Sequence, residues 1–210
     1  MGVITALRLN DRKKQVSVFI DSSFSFSIGD EVAVKAGIKV GQHLSAEQIK
    51  ELKQVNIFQN CFEAALHYLG YRPRSEAEVR QRLHRRGFNA EVVDRVVIVL
   101  KERSLIDDEA FAQYWKDSRQ SFRPRSRRLI KLELRQKGVA SETANEIVAD
   151  LDDETAAYRA GLKKARVLSG SDHSEFRRLL VGYLRRRGFD YGTISAVVAR
   201  LWQERQTDSA

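Results

Sequence analysis

Leu83-His84-Arg85-Arg86-Gly87-Phe88, Leu134-Arg135-Gln136-Lys137-Gly138-Val139 and Leu184-Arg185-Arg186-Arg187-Gly188-Phe189 are three versions of one phrase. Each has a leucine, a basic or amide-rich turn, a glycine and an apolar residue. The glycines stand 51 and 50 positions apart. A fixed period of that size marks stacked supersecondary units, so the chain reads as an array whose surface does the work.

Counting forward from each glycine, apolar residues fall at offsets 6, 9, 10 and 13: Val93, Val96, Val97 and Leu100; Ala144, Ile147, Val148 and Leu151; Ile194, Val197, Val198 and Leu201. That spacing is one face of an α-helix. Counting backward, Leu83 with Val79, Leu134 with Ile130 and Leu184 with Leu180 are i, i+4 pairs on a second helix. Glycine between two such faces is a helix stop, because the residue past the last turn commonly needs positive φ. A further stripe precedes each pair: Phe62, Ala65, Leu66 and Leu69; Phe111, Ala112, Tyr114 and Trp115; Ala157, Leu162 and Ala165. Three helices per unit follow. Arg72-Pro73-Arg74-Ser75 recurs as Arg123-Pro124-Arg125-Ser126, where proline closes one helix and serine N-caps the next. The third unit has Ser169-Gly170-Ser171-Asp172-His173-Ser174 instead. Asp107-Asp108-Glu109 and Asp152-Asp153-Glu154 open the second and third units and suit helix N-termini.

The stretch 62–204 resembles the RecX family, bacterial modulators of the RecA recombinase. The matches are Ala65-Leu66 with Tyr68-Leu69, Arg74-Ser75-Glu76, the segment 83–88, and above all Leu105-Ile106-Asp107-Asp108-Glu109 followed by Phe111-Ala112. The resemblance implies a curved, mainly α array of three tandem three-helix repeats that docks along the groove of a RecA–DNA filament. There it would inhibit recombinase, ATPase and co-protease activities, favour filament disassembly, and so act in recombination, DNA repair and the SOS response. The expected protein is a cytoplasmic monomer without cofactor or metal.

Residues 1–57 read differently. Segments 3–9, 15–21 and 24–28 are short, rich in β-branched and aromatic residues, and divided by Asn10-Asp11-Arg12-Lys13 and Ser22-Ser23. Alternation such as Val16, Val18, Ile20 predicts half-buried strands. Segments 30–36 and 45–55 read as short helices, the latter capped by Ser45 with Gln48. The expected organisation is a small β-meander with short helices over 1–57, then repeats over 58–108, 109–152 and 153–206. This N-terminal part is expected to be the least shared within the family and to pack against the first repeat. Residues 206–210 are small and polar and are expected to fray.

A 42% hydrophobic content allows a real core in 210 residues, while 31% charged residues and two prolines suit a thin, helix-rich array. The single cysteine, Cys61, excludes an internal disulfide and is expected as a small buried residue. No apolar run approaches the roughly 18 to 20 residues of a membrane span, and the first ten residues do not read as a secretory signal.

Net charge is +9, and much of the excess is local. Between Trp115 and Lys137 stand nine basic residues (Lys116, Arg119, Arg123, Arg125, Arg127, Arg128, Lys131, Arg135, Lys137) against Asp117 and Glu133. Charge so concentrated attracts a polyanion or an acidic protein face. Arg86, Lys137 and Arg187 precede repeat glycines and are equally explained by the helix dipole. The other helix end is more telling. Ser75 is followed by Glu76 and Glu78, whereas Ser126 is followed by Arg127 and Arg128, the wrong sign for a first turn, which predicts an anion from outside the helix. Arg123, Arg125, Arg127, Arg128, Lys131 and Arg135 are therefore the candidate partner-binding surface, for acidic residues of the recombinase or phosphates of its DNA. Arg177, Arg178, Arg185, Arg186 and Arg187 form a second patch, weaker because the last three partly serve the helix end.

Two other classes compete. A helix-turn-helix DNA reader would place each unit's third helix in the major groove. Those helices instead offer apolar bulk, with Glu91 and Asp94 in the first and Glu142, Asn145 and Glu146 in the second. A helical scaffold for another protein partner is the further alternative. An enzyme site is not found: His43, His67, His84 and His173 share no ligand spacing with Cys61, and no phosphate loop or nucleophile elbow occurs. Asp107-Asp108 and Asp152-Asp153 read as caps rather than metal ligands. Trp115, with Phe111 and Tyr114, reads as core rather than as a stacking platform. Trp202 is expected to close the end of the last repeat.

Overall fold

The computed structural model describes residues 2–12, 14–168 and 170–208, for Asp208 the backbone only. Ser169 of the third repeat's loop, Lys13 of the first strand connection, and Ser209 and Ala210 of the tail lie outside the described residues, as does Met1. The other expected tail residues, 206–208, continue the last helix rather than fraying.

The N-terminal part is a four-stranded antiparallel sheet in the order β3-β2-β1-β4, from β1 (Gly2–Asn10), β2 (Gln15–Ile20), β3 (Ser23–Gly29) and β4 (His43–Leu44). The alternation of the sequence sets which face is buried: Val18 opposite Leu7 and Phe26 points inward. Helix α1 (Asp30–Ala36) covers that face with Val32 and Ala33, and Ile4, Val18, Phe26, Ile28, Ile38 and Leu44 complete the core. The two-residue β4 is too short to announce itself by periodicity.

Helix α2 (Ala46–Leu69) corrects the expectation of a short helix ending near 55. It runs unbroken for 24 residues because no glycine or proline occurs inside it. Its start carries the expected capping box, Ser45 Oγ accepting from Gln48 N–H and Gln48 Oε1 from Ser45 N–H. Its first half packs Ile49 and Leu52 on the sheet, and its second half buries Cys61, Ala64 and Ala65 in the first repeat. One helix thus passes straight through positions 57 and 58. Leu66, expected in the buried stripe, is exposed.

The repeats follow as α3 (Glu76–Arg85) and α4 (Ala90–Glu102); α5 (Asp108–Phe122), α6 (Arg127–Gln136) and α7 (Ser141–Val148); α8 (Asp153–Val167), α9 (His173–Arg185) and α10 (Tyr191–Asp208). Each has its own core. The i, i+4 pairs Val79/Leu83, Ile130/Leu134 and Leu180/Leu184 are all fully buried. Forward-offset residues are buried too, except that Ile147 and Leu151 are half-buried because α7 ends at Val148. Gly87, Gly138 and Gly188 adopt φ of +90°, +85° and +87°, as a left-handed helix stop requires. Trp202 is half-buried against Phe176 and His173, with ring centroids 5.2 and 4.8 Å away. Cys61 is fully buried, and burial pushes its thiol pKa up to about 11.

The contacts divide the chain into two compact units, Met1–Arg72 with Val79–Ile106, and Pro73–Glu78 with Asp107–Ala210. The first turn of α3 therefore belongs with the second repeat.

Candidate binding surface on the second and third repeats

Two serine clasps build this part of the molecule. Ser126 Oγ accepts from Leu129 N–H at 3.2 Å and caps α6, while its own N–H donates to Arg187 O at 3.0 Å. Ser75 caps α3 through Glu78 N–H at 3.2 Å and donates its hydroxyl to Lys137 O at 2.6 Å. Both serines are buried, and each meets the residue before a repeat glycine. The glycine is required there: a Cβ at Gly188 would lie 2.6 Å from Ser126 Oγ and 2.8 Å from Leu129 Cβ, and one at Gly138 would overlap Ala77.

The acidic pairs do two jobs. Asp107 and Asp152 cap α5 and α8, each accepting from two backbone N–H groups. Asp108 accepts from Glu76 N–H at 2.8 Å and Asp153 from Arg127 N–H at 2.6 Å, so each second aspartate serves the preceding repeat. The anion expected from outside α6 is thus Asp153, 26 residues on, so the start of the helix needs no partner molecule to supply it.

The nine basic residues between Trp115 and Lys137 separate into two sets. Lys116 is buried and holds both carboxylate oxygens of Asp150 at 3.1 Å. Lys137 pairs with Glu78 at 2.8 Å and lies over the Trp115 ring. Glu133, 11% exposed, accepts from Trp115 Nε1 at 2.8 Å, from Arg119 Nε at 2.7 Å and from Arg125. Arg125 is accordingly corrected as a candidate: its guanidinium is spent on Glu133 rather than offered to a partner. Burial first, then the charges of Arg119, Arg187 and Arg123, lower its pKa. Arg187, 62 positions along the chain, is thus a neighbour that spacing could not reveal. It donates to Pro124 O at 3.2 Å and lies over Tyr183, contacts that give it a structural role.

The second set is Arg123, Arg127, Arg128, Lys131 and Arg135, which form no ion pair among the described residues. All are exposed except the half-buried Lys131. Arg127 also reaches Ala149 O at 3.5 Å. In the third repeat Arg177, Arg178, Arg185 and Arg186 are exposed, Arg178 lying 3.9 Å from Glu175. Counted from the glycines, Arg127 matches Arg177, Arg128 matches Arg178 and Arg135 matches Arg185. The first repeat has Glu76, Ala77 and His84 there. The arginines are thus a property of two repeats, a signal available in the sequence but only once the units are superposed on their glycines.

Among the described residues no three His, Cys, Asp or Glu side chains come together to hold a metal, and no helix is long and apolar enough to cross a membrane.

Fold and surface together define a tandem three-helix repeat protein, with an N-terminal β-module and unpaired arginines on the middle helices of two repeats. Models of the first, second and third three-helix domains of RecX match residues 61–98, 107–147 and 152–198. The chain belongs to the RecX family. "Regulatory protein RecX" of Chlorobium limicola is 37% identical over 139 residues, 66% of this chain and 87% of that one. Those of Clostridium botulinum and Clostridium perfringens are 30% and 28% identical over 204 and 207 residues, covering 94% and 96% of this chain and 95% and 97% of theirs. These longer alignments take in the N-terminal module, which is therefore shared with some relatives. Among solved structures, a regulatory protein RecX shares the fold with a TM-score of 0.66 at 20% identity, covering 94% of this chain and 98% of its own. RecX from Lactobacillus salivarius gives 0.58 at 22%, covering 70% and 97%.

Proposed function

We propose that this protein inhibits RecA by binding the groove of the RecA–DNA filament as a monomer, through the arginines of repeats two (109–152) and three (153–206). The observation that carries the proposal is the set Arg123, Arg127, Arg128, Lys131 and Arg135, left without carboxylates although Glu133, Glu78 and Asp150 neutralise their basic neighbours. Unpaired guanidinium groups fit carboxylates of the recombinase or phosphates of its DNA. An inhibitor of this kind works by occupying one assembled state and shifting its equilibrium, without chemistry of its own.

The test is charge reversal. Arg127→Glu/Arg128→Glu should melt within a few degrees of wild type and weaken inhibition of filament-driven strand exchange at least tenfold. Full inhibition by the folded variant would remove this surface. Against a helix-turn-helix reader, α7 exposes Glu142, Asn145 and Glu146. Tighter binding to mixed duplexes than to a preformed recombinase filament would restore that reading.

A further inference from the structure

The outer face of the N-terminal sheet carries a cluster that neither the core nor the repeats use. Across β1, β2 and β3, Ala6, Phe19 and Phe24 lie side by side, followed by Arg8, Ser17 and Ser27. Phe24 is 60% exposed, and its ring meets that of Phe19 edge-on with centroids 5.9 Å apart. The Arg8 guanidinium stands 4.8 Å from the Phe19 centroid and forms no ion pair among the described residues. Between them are only small groups, Ala6 and the bonded hydroxyls of Ser17 and Ser27, 3.2 Å apart. The Thr5 hydroxyl braces the end of the face, donating to Phe19 O and accepting from Ser22 N–H at 2.9 Å. None of the paired positions on this face carries a carboxylate, and Arg12 and Lys14 add cations at the β1–β2 turn.

A cross-strand phenylalanine pair by itself stabilises a sheet only modestly, and burial would serve that purpose better than 60% exposure. We propose that this face binds single-stranded DNA, with a base stacked on Phe24 and the backbone phosphates drawn by Arg8, Arg12 and Lys14. Flat aromatic surface beside unneutralised cations on an open sheet is what stacking of unpaired bases needs, whereas a duplex keeps its bases out of reach. The choice of DNA over RNA rests on the filament reading above. The stacking surface itself does not.

The experiment uses the full chain and a fluorescent oligo-dT. Phe24→Ser should weaken binding roughly 5- to 150-fold, the range for losing one stacked base, and Arg8→Gln by a smaller factor. Phe24→Ser should leave unaltered the affinity for an abasic oligonucleotide of equal length, which offers phosphates but nothing to stack, whereas Arg8→Gln should weaken binding to both strands. Iodouracil placed in the oligonucleotide should photocross-link to the peptide containing Phe24. Unchanged oligo-dT affinity in Phe24→Ser, equal loss toward the abasic strand, or cross-links confined to the repeats would overturn the proposal. Tighter binding of oligo-rU would overturn the choice of DNA. Arg127→Glu/Arg128→Glu, read by strand exchange, tests the repeat surface separately, so the two failures are distinguishable.

Discussion

Helices α3 and α6 occupy the same place in successive repeats and begin with the same buried serine, yet their first turns carry opposite charge. Glu76 and Glu78 follow Ser75, while Arg127 and Arg128 follow Ser126. Both starts are nonetheless served alike by a later aspartate, Asp108 at 2.8 Å or Asp153 at 2.6 Å. The difference teaches that, while each helix keeps its own serine cap, the anion at its first N–H is supplied by the next repeat. Once an anion 26 or 32 residues away holds the first N–H, the exposed first-turn side chains no longer determine whether the helix forms. In α6 those side chains, Arg127 and Arg128, form no ion pair among the described residues.

The largest expected effect comes from breaking the clasp. Gly188→Ala should destabilise the protein by about 3 kcal/mol, combining a left-handed backbone penalty with overlap on Ser126 and Leu129. Gly87→Ala, with nothing within 4 Å of its Cβ, should cost only about 1 kcal/mol. Urea unfolding of the two variants measures the gap, and equal losses would mean that glycine serves all three turns only for its φ. Next, Glu133→Gln should cost about 2 kcal/mol, since it leaves Arg119 and Arg125 without their shared carboxylate.

Asp153→Ala should follow at about 1 kcal/mol and Asp108→Ala at about half that, because α3 keeps Glu76 and Glu78 while α6 has no acid of its own. Equal losses in thermal melts would contradict the delegation of charge to Asp153. The smallest effect is acid sensitivity in the third repeat. The Thr155 hydroxyl first, then the N–H groups of Glu154 and Thr155, hold the Asp152 carboxyl below the usual carboxylate range. A depressed pKa stabilises the fold above the ordinary value and stops doing so as pH falls through the depressed one. Thr155→Val should therefore lower the midpoint near neutral pH, with the difference from wild type shrinking as the pH falls through the depressed pKa of the Asp152 carboxyl.

Much of the fold is legible in the sequence because helix signals are local. The offsets from Gly87, Gly138 and Gly188 identify the buried faces, and Ser126 with Asp152 can be read as caps from their neighbours. The unbroken α2 is also implicit, since nothing between Ala46 and Leu69 stops a helix. Other features depend on distant partners. The pairing of Arg125 with Glu133, the burial of Lys116 against Asp150 and the approach of Arg187 to Pro124 follow from how helices pack, and spacing does not encode them.

The sequence by itself determined three glycine-punctuated helical units, because period, capping and apolar spacing act over a few residues at a time. Only the tertiary structure decided which of the many arginines remain without carboxylates. Neutralisation depends on distances of a few ångströms between groups up to 59 positions apart, and chain order leaves those distances open.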